Sequence, residues 1–195
     1  WHRTQVSEHS YYCSDFKFRK GMVSDKNTPV YTLHMADGMW LNKSFKNSIL
    51  QRIAKCELDG KRYVYSDLGF VLLQQVVEKV TELPMDLYLA REFYAPMGLQ
   101  RTMFLPLTKF TKAEIMPTAS NDFLRRQDIC GYVHDETAAC MGGVSGNAGL
   151  FSTAEEVAKV YQMLLNGGEF NGKRFLSEAT CRLFTTEKSA ISRRG

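Results

Sequence analysis

The sequence lacks the motifs of most metal- and nucleotide-dependent proteins. Its five cysteines form no Cys-x-x-Cys pair, its four histidines are scattered, and no His-Glu-x-x-His is present. No Gly-Lys-Ser/Thr follows a glycine-rich stretch, which excludes the common phosphate-binding loop. We therefore expect no metal centre. The cysteines are interpreted as small apolar residues, some of them buried.

Long apolar runs and one-sided charge are also missing. No run approaches the roughly 18 residues of a membrane span, and the polar opening "WHRTQVSEHS" is not a signal peptide. The net charge is only +4, and the basic residues are scattered, as in "FLRRQ" and "ISRRG". That pattern favours solvated surface charge over nucleic-acid binding.

What is present is the composition of a soluble globular protein. The 195 residues are 44% apolar and 24% charged, enough for one domain with a core. We expect residues 1–195 to form a single domain. The chain starts at Trp1 and ends without a clear helix stop, so we also expect that domain to be a truncated piece of a longer protein.

Periodicity and turn residues predict a mainly α fold with minor β hairpins. The first predicted helix begins after Ser44, a possible cap. The second runs from Leu68 to Val80 and is expected to be buried on most sides. The third begins at Pro84 and ends at Gly98. Two later helices have caps at Ser152 or Thr153 and at Ser177. Residues 1–40 are read as irregular with one short strand over 30–33, and residues 100–130 as loop-rich. Hairpins are expected at Asp59-Gly60 and Asn171-Gly172.

Two serines match nucleophile patterns without the context that the chemistry needs. Ser14-Asp15-Phe16-Lys17 fits Ser-x-x-Lys, but the following "FRKGMVSDKNTP" cannot form the buried helix of such a site. Ser145 lies in "GGVSGNAG", where Asn147 replaces the second glycine of a Gly-x-Ser-x-Gly elbow and no parallel strand precedes. We interpret Ser145 as part of a tight glycine loop.

Two loop segments carry candidate polar residues with competing readings. His134-Asp135 could orient a substrate or serve as a base and its orienting carboxylate. Alternatively, His134 could bond locally while Asp135 caps the next segment, and local bonding is the more common role. Tyr65-Ser66-Asp67 precedes the predicted helix of 68–80. Ser66 or Asp67 could cap that helix while Tyr65 packs on the core, or the three could belong to an active site.

The surrounding stretches favour the active-site reading. "YSDLGFVLLQQVVEKVTELPMDLYLAREFYAPMGLQRTMF", followed by "GGVSGNAGLFSTAEEVAKVYQMLLNGG", resembles the serine β-lactamase-related family of class C β-lactamases, D-alanyl-D-alanine carboxypeptidases and related esterases. The resemblance covers about residues 60–187. The combination of "YSDLGF" with "VHDETAACMGGVSGNAGLFS" resembles the sequences of envelope proteins in which such a domain follows a family 3 glycoside hydrolase domain.

The resemblance implies a helical subdomain of an α+β β-lactamase/transpeptidase-like fold. Tyr65 would be a catalytic proton relay at the family's Tyr-x-Asn motif, and Asp67 would orient the lysine of the Ser-x-x-Lys motif or contact the substrate. His134, from the His-Asp pair described above, is the other candidate substrate-binding residue. The sequence departs from the family at Asp67, where relatives carry Asn, and at Asn147, where we expect His. The Ser-x-x-Lys and Lys/His-Thr/Ser-Gly motifs are expected outside the chain, before Trp1 and after Gly195.

The implied parent is a serine hydrolase that acts by acyl transfer on an amide or ester, in the periplasm or cell envelope. Its partners would be a small-molecule or peptide substrate and the rest of the parent chain, without cofactors or nucleic acid. No membrane span is expected within residues 1–195. The isolated chain is expected to be inactive because it lacks the nucleophile. The alternative is a non-catalytic module that binds cell wall or supports a neighbouring hydrolase.

Overall fold

The computed structural model describes residues 18–56 and 66–187. The chain divides into two compact units. The first takes in the described residues up to Met85 together with Phe104–Leu150, and the second takes in Asp86–Met103 and the described residues from Phe151 onward. Both contain helices and strands, so the α+β character implied by the sequence is confirmed. The predicted hairpin at Asp59-Gly60 lies outside the described residues, and the single-domain reading stays a prediction.

The first unit begins with an antiparallel sheet. Its strands are β1 (Val23–Ser24), β2 (Tyr31–Ala36) and β3 (Met39–Asn42), in the order β1-β3-β2. Asp37-Gly38 forms the tight turn between β2 and β3, with Gly38 at φ +58°. The short strand expected over 30–33 overlaps β2 and is confirmed to that extent, whereas the reading of the rest of this stretch as irregular is wrong for β1 and β3. It missed a two-residue turn between short strands that carry bulges.

Helices pack against that sheet. They are α1 (Ser44–Ala54), α2 (Leu68–Thr81) and α4 (Glu136–Cys140). A further helix, α3 (Met85–Leu89), is continued by a π-helical turn, Ala90–Tyr94, and its residues from Asp86 onward belong to the second unit. Ser44 is the first helical residue, and Lys43 occupies the cap position where Ser44 was expected. The N–H of Ser44 donates to Asn42 Oδ1 at 3.0 Å. The core of this unit combines sheet, helix and loop residues: Met35, Leu41, Phe45, Ile49, Ile53, Val71, Leu124, Val133, Ala138, Ala139, Cys140 and Met141.

Residues 100–130 are loop-rich, as expected. They contain two 3₁₀ turns, Pro106–Thr108 and Lys112–Glu114, and the short strands β4 (Met103–Phe104), β5 (Pro117–Ala119) and β6 (Ile129–Cys130). Strands β5 and β6 pair antiparallel. Strand β7 (Leu150–Phe151) follows later in the chain.

The second unit contains the elements with the clearest sequence signals. Thr153 and Ser177 accept cap hydrogen bonds at α5 (Ala154–Leu165) and α6 (Glu178–Thr185), which confirms the predicted starts. Strands β8 (Glu169–Phe170) and β9 (Lys173–Arg174) pair antiparallel around Asn171-Gly172, as predicted. Its core is built from Met97, Leu99 and Met163, with Tyr94, Val160, Leu164, Phe170, Phe175 and Leu176 packed against them.

Two other burial predictions have opposite outcomes. Cys140 and Cys181 are buried, in agreement with their reading as small apolar residues, whereas Cys56 is exposed. The predicted burial of α2 on most sides is wrong. Only Val71 and Gln74 of this helix are buried, so α2 contacts the rest of the structure through one narrow side.

Glu156 anchors the start of α5 to the loop before β4. The carboxylate is 7% exposed and accepts from the N–H of Gln100 at 2.7 Å, the N–H of Arg101 at 3.0 Å and the Thr102 hydroxyl at 2.6 Å. Burial raises the pKa of Glu156, but the bonds from Thr102, Gln100 and Arg101 outweigh it and hold the pKa below the usual value.

We expect Glu156→Gln to lower the free energy of unfolding by about 2–3 kcal/mol at pH 7, because an amide presents N–H groups to donors that need an acceptor. The folded-state pKa of Glu156 is lowered from 4.5, so its stabilisation is present above that value and is lost as the pH falls below it. Urea unfolding from pH 7 to pH 3 measures the difference, which should shrink in acid. Glu155→Gln is the control, since Glu155 is 81% exposed and pairs with Lys159 in a surface salt bridge.

Candidate functional site

The start of α2 holds two residues of the predicted Tyr65-Ser66-Asp67 motif. The Ser66 hydroxyl accepts from the N–H of Leu68 at 3.3 Å. Asp67 occupies the cap position with helical backbone angles, φ −82° and ψ −17°, and its carboxylate makes no cap hydrogen bond. Of the two caps that the sequence allowed, the structure therefore uses Ser66. Tyr65 lies outside the described residues.

Gln74 fixes α2 to the glycine-rich stretch of residues 142–149, called here the glycine segment. Its side chain is 1% exposed. Nε2 donates to the carbonyl of Val144 at 3.3 Å, and Oε1 accepts from the N–H of Gly146 at 3.2 Å. A Cβ at Gly146 would collide with the carbonyl oxygen of Phe70, so only glycine permits this close approach.

Ser145 has a structural position inside the glycine segment. It is 2% exposed, and its hydroxyl donates to Asn147 Oδ1 at 2.6 Å. Among residues 18–56 and 66–187, the partner seen for that hydroxyl is this amide oxygen and not a base, which a serine nucleophile would require. The reading of Ser145 as part of a tight glycine loop is confirmed.

Asn147 joins the glycine segment to the His134-Asp135 loop. Asn147 Nδ2 donates to Asp135 Oδ1 at 3.2 Å, and the same oxygen accepts from the N–H of Ala138 at 2.7 Å. Asp135 is therefore the cap of α4, one of the two readings that the sequence allowed. The His134 side chain is exposed, and its role in substrate binding stays a prediction.

A buried ion pair holds the backbone of that loop. The guanidinium of Arg125 bonds both carboxylate oxygens of Asp122, at 2.9 and 2.7 Å, and both side chains are at most 1% exposed. It also donates to the carbonyls of Val133 and His134, each at 2.6 Å. Burial raises the pKa of Asp122, but Arg125 outweighs it and lowers that pKa overall. The sequence reading of "FLRRQ" as surface charge is wrong for Arg125.

Hydrogen bonds connect the β2–β3 turn to residues that precede the His134-Asp135 loop. Asp37 and Gln127 exchange hydrogen bonds at 3.2 and 3.1 Å, and the Tyr132 hydroxyl donates to Asp37 Oδ1 at 3.1 Å. His34 stacks on Trp40 with ring centroids 3.8 Å apart, and its Nε2 lies 3.1 Å from the Tyr132 hydroxyl. Burial is the main reason that the pKa of His34 is lowered. These contacts fix the position of Tyr132, which is two residues before His134 in the sequence.

Two of the predicted site segments converge in the first unit. Leu68, which follows Asp67, packs on the same apolar cluster as Ala148 of the glycine segment and Ala138 of α4. The start of α2 and the His134-Asp135 loop therefore border a common core. Sequence reasoning missed Gln74, Asp122 and Arg125, whose roles depend on partners distant in the chain. For Asn147, the sequence showed only that it stands where the family leads us to expect His, and not that it bonds to Asp135.

A metal-binding cluster and a membrane-spanning helix were both sought among the described residues. Among residues 18–56 and 66–187, no group of three or more His, Cys, Asp or Glu side chains could hold a metal ion. In the same ranges, no helix combines the length and the apolar character needed to cross a membrane.

Comparisons with known proteins complete the description. The model of the Beta-lactamase family matches residues 7–194. The chain is 33% identical over 207 residues to a protein of Salmonella agona named "Putative D-alanyl-D-alanine carboxypeptidase", covering 90% of this chain and 48% of that protein. A protein of the same name from Salmonella schwarzengrund is 36% identical over 155 residues, 72% of this chain and 36% of its own length.

The fold is similar to that of a solved structure, the octameric penicillin-binding protein homologue from Pyrococcus abyssi. The TM-score is 0.52 at 18% identity, over 75% of this chain and 31% of that chain. At this identity the likeness concerns the fold alone. The chain spans about half the length, or less, of the curated relatives described above.

Proposed function

Because the chain belongs to the Beta-lactamase family, we propose that it forms the helical part of a serine hydrolase of the cell envelope that acts by acyl transfer. The observation that carries the proposal is the 33% identity to a named carboxypeptidase across 90% of the chain. The proposed substrate is an amide or ester, with a peptide ending in D-alanyl-D-alanine as the first candidate.

In this proposal a serine outside residues 1–195 attacks the substrate carbonyl, with a lysine from the same motif as its partner. Tyr65 carries the proton from the nucleophile to the leaving group. A tyrosine with an ordinary pKa near 10 is a poor base at neutral pH, so a nearby cation must lower that pKa. That cation is proposed to be the lysine.

Asp67 has a role other than helix capping in this scheme. Ser66 supplies the cap hydrogen bond of α2, so the Asp67 carboxylate is not needed for it. It either orients the lysine or contacts the substrate. An ionised carboxylate only accepts hydrogen bonds, whereas the asparagine of most relatives also donates.

The test is the release of D-alanine from a peptide ending in Lys-D-alanyl-D-alanine by the longer protein that contains this chain. We expect turnover well above the buffer blank. Binding of the peptide without release would instead support the non-catalytic module and would contradict the hydrolase.

Asp67→Asn separates the two roles of Asp67. If the carboxylate faces the substrate, we expect faster acylation by penicillin, because a negative charge a few ångströms from an anionic ligand costs roughly 1 kcal/mol at a high effective dielectric. The midpoint of thermal unfolding should change little, since asparagine at the start of a helix is almost as favourable as aspartate. Stopped-flow or gel-based acylation rates measure the effect.

Asp86→Asn is the control, because it also removes a carboxylate from the start of a helix, in the first turn of α3. It should leave the acylation rate unchanged. Slower acylation after Asp67→Asn would assign the carboxylate to the lysine and would remove the argument about substrate charge.

A further inference from the structure

Side-chain amides hold the glycine segment from both sides. Gln74 of α2 bonds two backbone groups of the segment and is almost fully buried. Asn147, within the segment, bonds the carboxylate of Asp135 in the preceding loop. The segment therefore connects the helix that begins next to Asp67 with the loop that carries His134.

The segment itself is closed and tightly packed. A Cβ at Gly149 would collide with the carbonyl oxygen of Gly143, so these two parts of the segment lie in backbone contact. Gly149 and Gly143 have φ of +114° and +86°, which L side chains rarely adopt. Ser145 lies between them in sequence, is 2% exposed and donates to Asn147 Oδ1 at 2.6 Å. We therefore expect a displacement on one side of the segment to reach the other side.

Asn147 presents one acceptor and one donor to its neighbours. Its Oδ1 accepts from the Ser145 hydroxyl, and its Nδ2 donates to Asp135 Oδ1 at 3.2 Å. An ionised carboxylate only accepts, so the group that faces Asp135 must donate, and an amide donates at every pH. The cap of α4 does not depend on this bond, because Asp135 also accepts from the N–H of Ala138 at 2.7 Å. The bond from Asn147 therefore fixes the loop rather than the helix.

Arg125 holds the same loop through its backbone. Its guanidinium donates to the carbonyls of Val133 and His134, each at 2.6 Å. The loop is thus fixed at two points, at its backbone by a buried ion pair and at the Asp135 side chain by the glycine segment.

We propose that Asn147 is a positioning residue for substrate binding, which sets the place of the His134 loop relative to the start of α2 through its contact with Asp135. The substrate class is that of the proposed function, an amide or ester such as a peptide ending in D-alanyl-D-alanine, and the inference rests on that function. The effect falls on KM, because His134 is proposed to contact the substrate while the nucleophile lies outside residues 1–195.

Asn147→Asp in the longer protein tests the proposal, because it makes the contact with Asp135 depend on pH. The ionised side chain of the variant faces the Asp135 carboxylate without a proton between them, and the like charges repel. Two carboxylates this close bind one proton more readily than an isolated carboxyl, and the shared proton restores a bridge in acid. The titratable neighbours of Asp135 in the chain, His134 and Glu136, are unchanged.

We expect KM for a peptide ending in Lys-D-alanyl-D-alanine to rise about tenfold at pH 8 and to return to within about twofold at pH 5, relative to the unmodified protein at the same pH. The kcat should change by less than about threefold. A residue that only stabilises the fold would lower the amount of active protein, and hence the apparent kcat, without changing KM. An unchanged KM at pH 8 would overturn the proposal.

Asn42→Asp is the matched control. Asn42 Oδ1 accepts from the N–H of Ser44, and a carboxylate accepts in the same way. This variant adds the same charge at a position with no proposed role, so KM should stay unchanged at both pH values. An equal rise in KM would show an effect of charge alone and would overturn the proposal.

Ser145→Ala gives an independent readout if Asn147→Asp does not fold. It removes the hydrogen bond that orients the Asn147 amide and places no charge in the core. We expect KM to rise about threefold with kcat unchanged. An unchanged KM would overturn the proposal, and loss of kcat would make Ser145 the nucleophile and contradict the proposed function as well.

Hydrogen exchange followed by mass spectrometry separates this proposal from the proposed function. At pH 8 we expect the peptide over residues 133–141 to exchange faster in Asn147→Asp than in the unmodified longer protein, whether or not D-alanine is released. Faster exchange in a protein that releases no D-alanine would support the positioning of the loop and contradict the hydrolase. Release of D-alanine with unchanged exchange and unchanged KM would overturn the positioning role and leave the hydrolase intact.

Discussion

Arg125→Met is expected to lower the free energy of unfolding by about 3–5 kcal/mol, because it leaves the buried Asp122 carboxylate without its counter-ion. The change also removes the donors to the carbonyls of Val133 and His134. Arg125→Lys should recover only part of the loss, since an ammonium cannot bond the two carboxylate oxygens in the same fork. Urea unfolding at pH 7 measures all three proteins.

Arg126→Met is the matched control, because Arg126 is adjacent and exposed. We expect its effect to stay within about 0.5 kcal/mol. The pKa of Asp122 is lowered in the folded protein, so the stabilisation is present above the ordinary carboxyl pKa and is lost as the pH falls below it. Equal effects of the two methionine variants at pH 7 would show that the buried pair does not hold the loop.

Tyr65→Phe in the longer protein is expected to reduce turnover by roughly 100-fold or more, the usual scale for loss of a general acid or base. The ring is kept and only the hydroxyl is removed, so we expect little change in the midpoint of thermal unfolding. D-alanine release and a thermal melt on the same preparation measure the two quantities.

Tyr63→Phe provides the comparison, since it removes a hydroxyl two residues earlier that has no proposed chemical role. Turnover of that variant should equal that of the unmodified protein. Unchanged turnover after Tyr65→Phe, with a lower melting midpoint, would make Tyr65 a structural residue and would remove the proton relay from the proposal.

The elements that sequence reasoning predicted correctly are those defined by local chemistry. Thr153 and Ser177 cap α5 and α6 through N–H groups only three residues away, and Asn171-Gly172 closes its hairpin within four residues. Such signals need no knowledge of the rest of the fold. Asp37-Gly38 gives the same kind of signal, but the strands beside it carry bulges that obscure the alternation.

The predictions that failed depend on partners distant in the chain. The periodicity of α2 shows that the helix is apolar, but not which side the fold covers, and the covered strip contains Gln74. Arg125 looked like one more surface charge, because nothing local shows that its guanidinium meets the carbonyls of Val133 and His134. The candidate site follows the same rule. Asp67 was proposed from motif order and His134 from its neighbour Asp135, whereas the role of Gln74 is visible only in the fold.

The most direct measurement is the position of the covalent adduct formed with a penicillin probe, determined by peptide mass spectrometry. We expect the longer protein to carry one adduct, on a serine outside residues 1–195, and the chain of 195 residues alone to carry none. An adduct on Ser145 or Ser14 would contradict this. So would a longer protein that binds D-alanyl-D-alanine peptides yet forms no adduct, since it would then be a binding module and not an acyl-transfer enzyme.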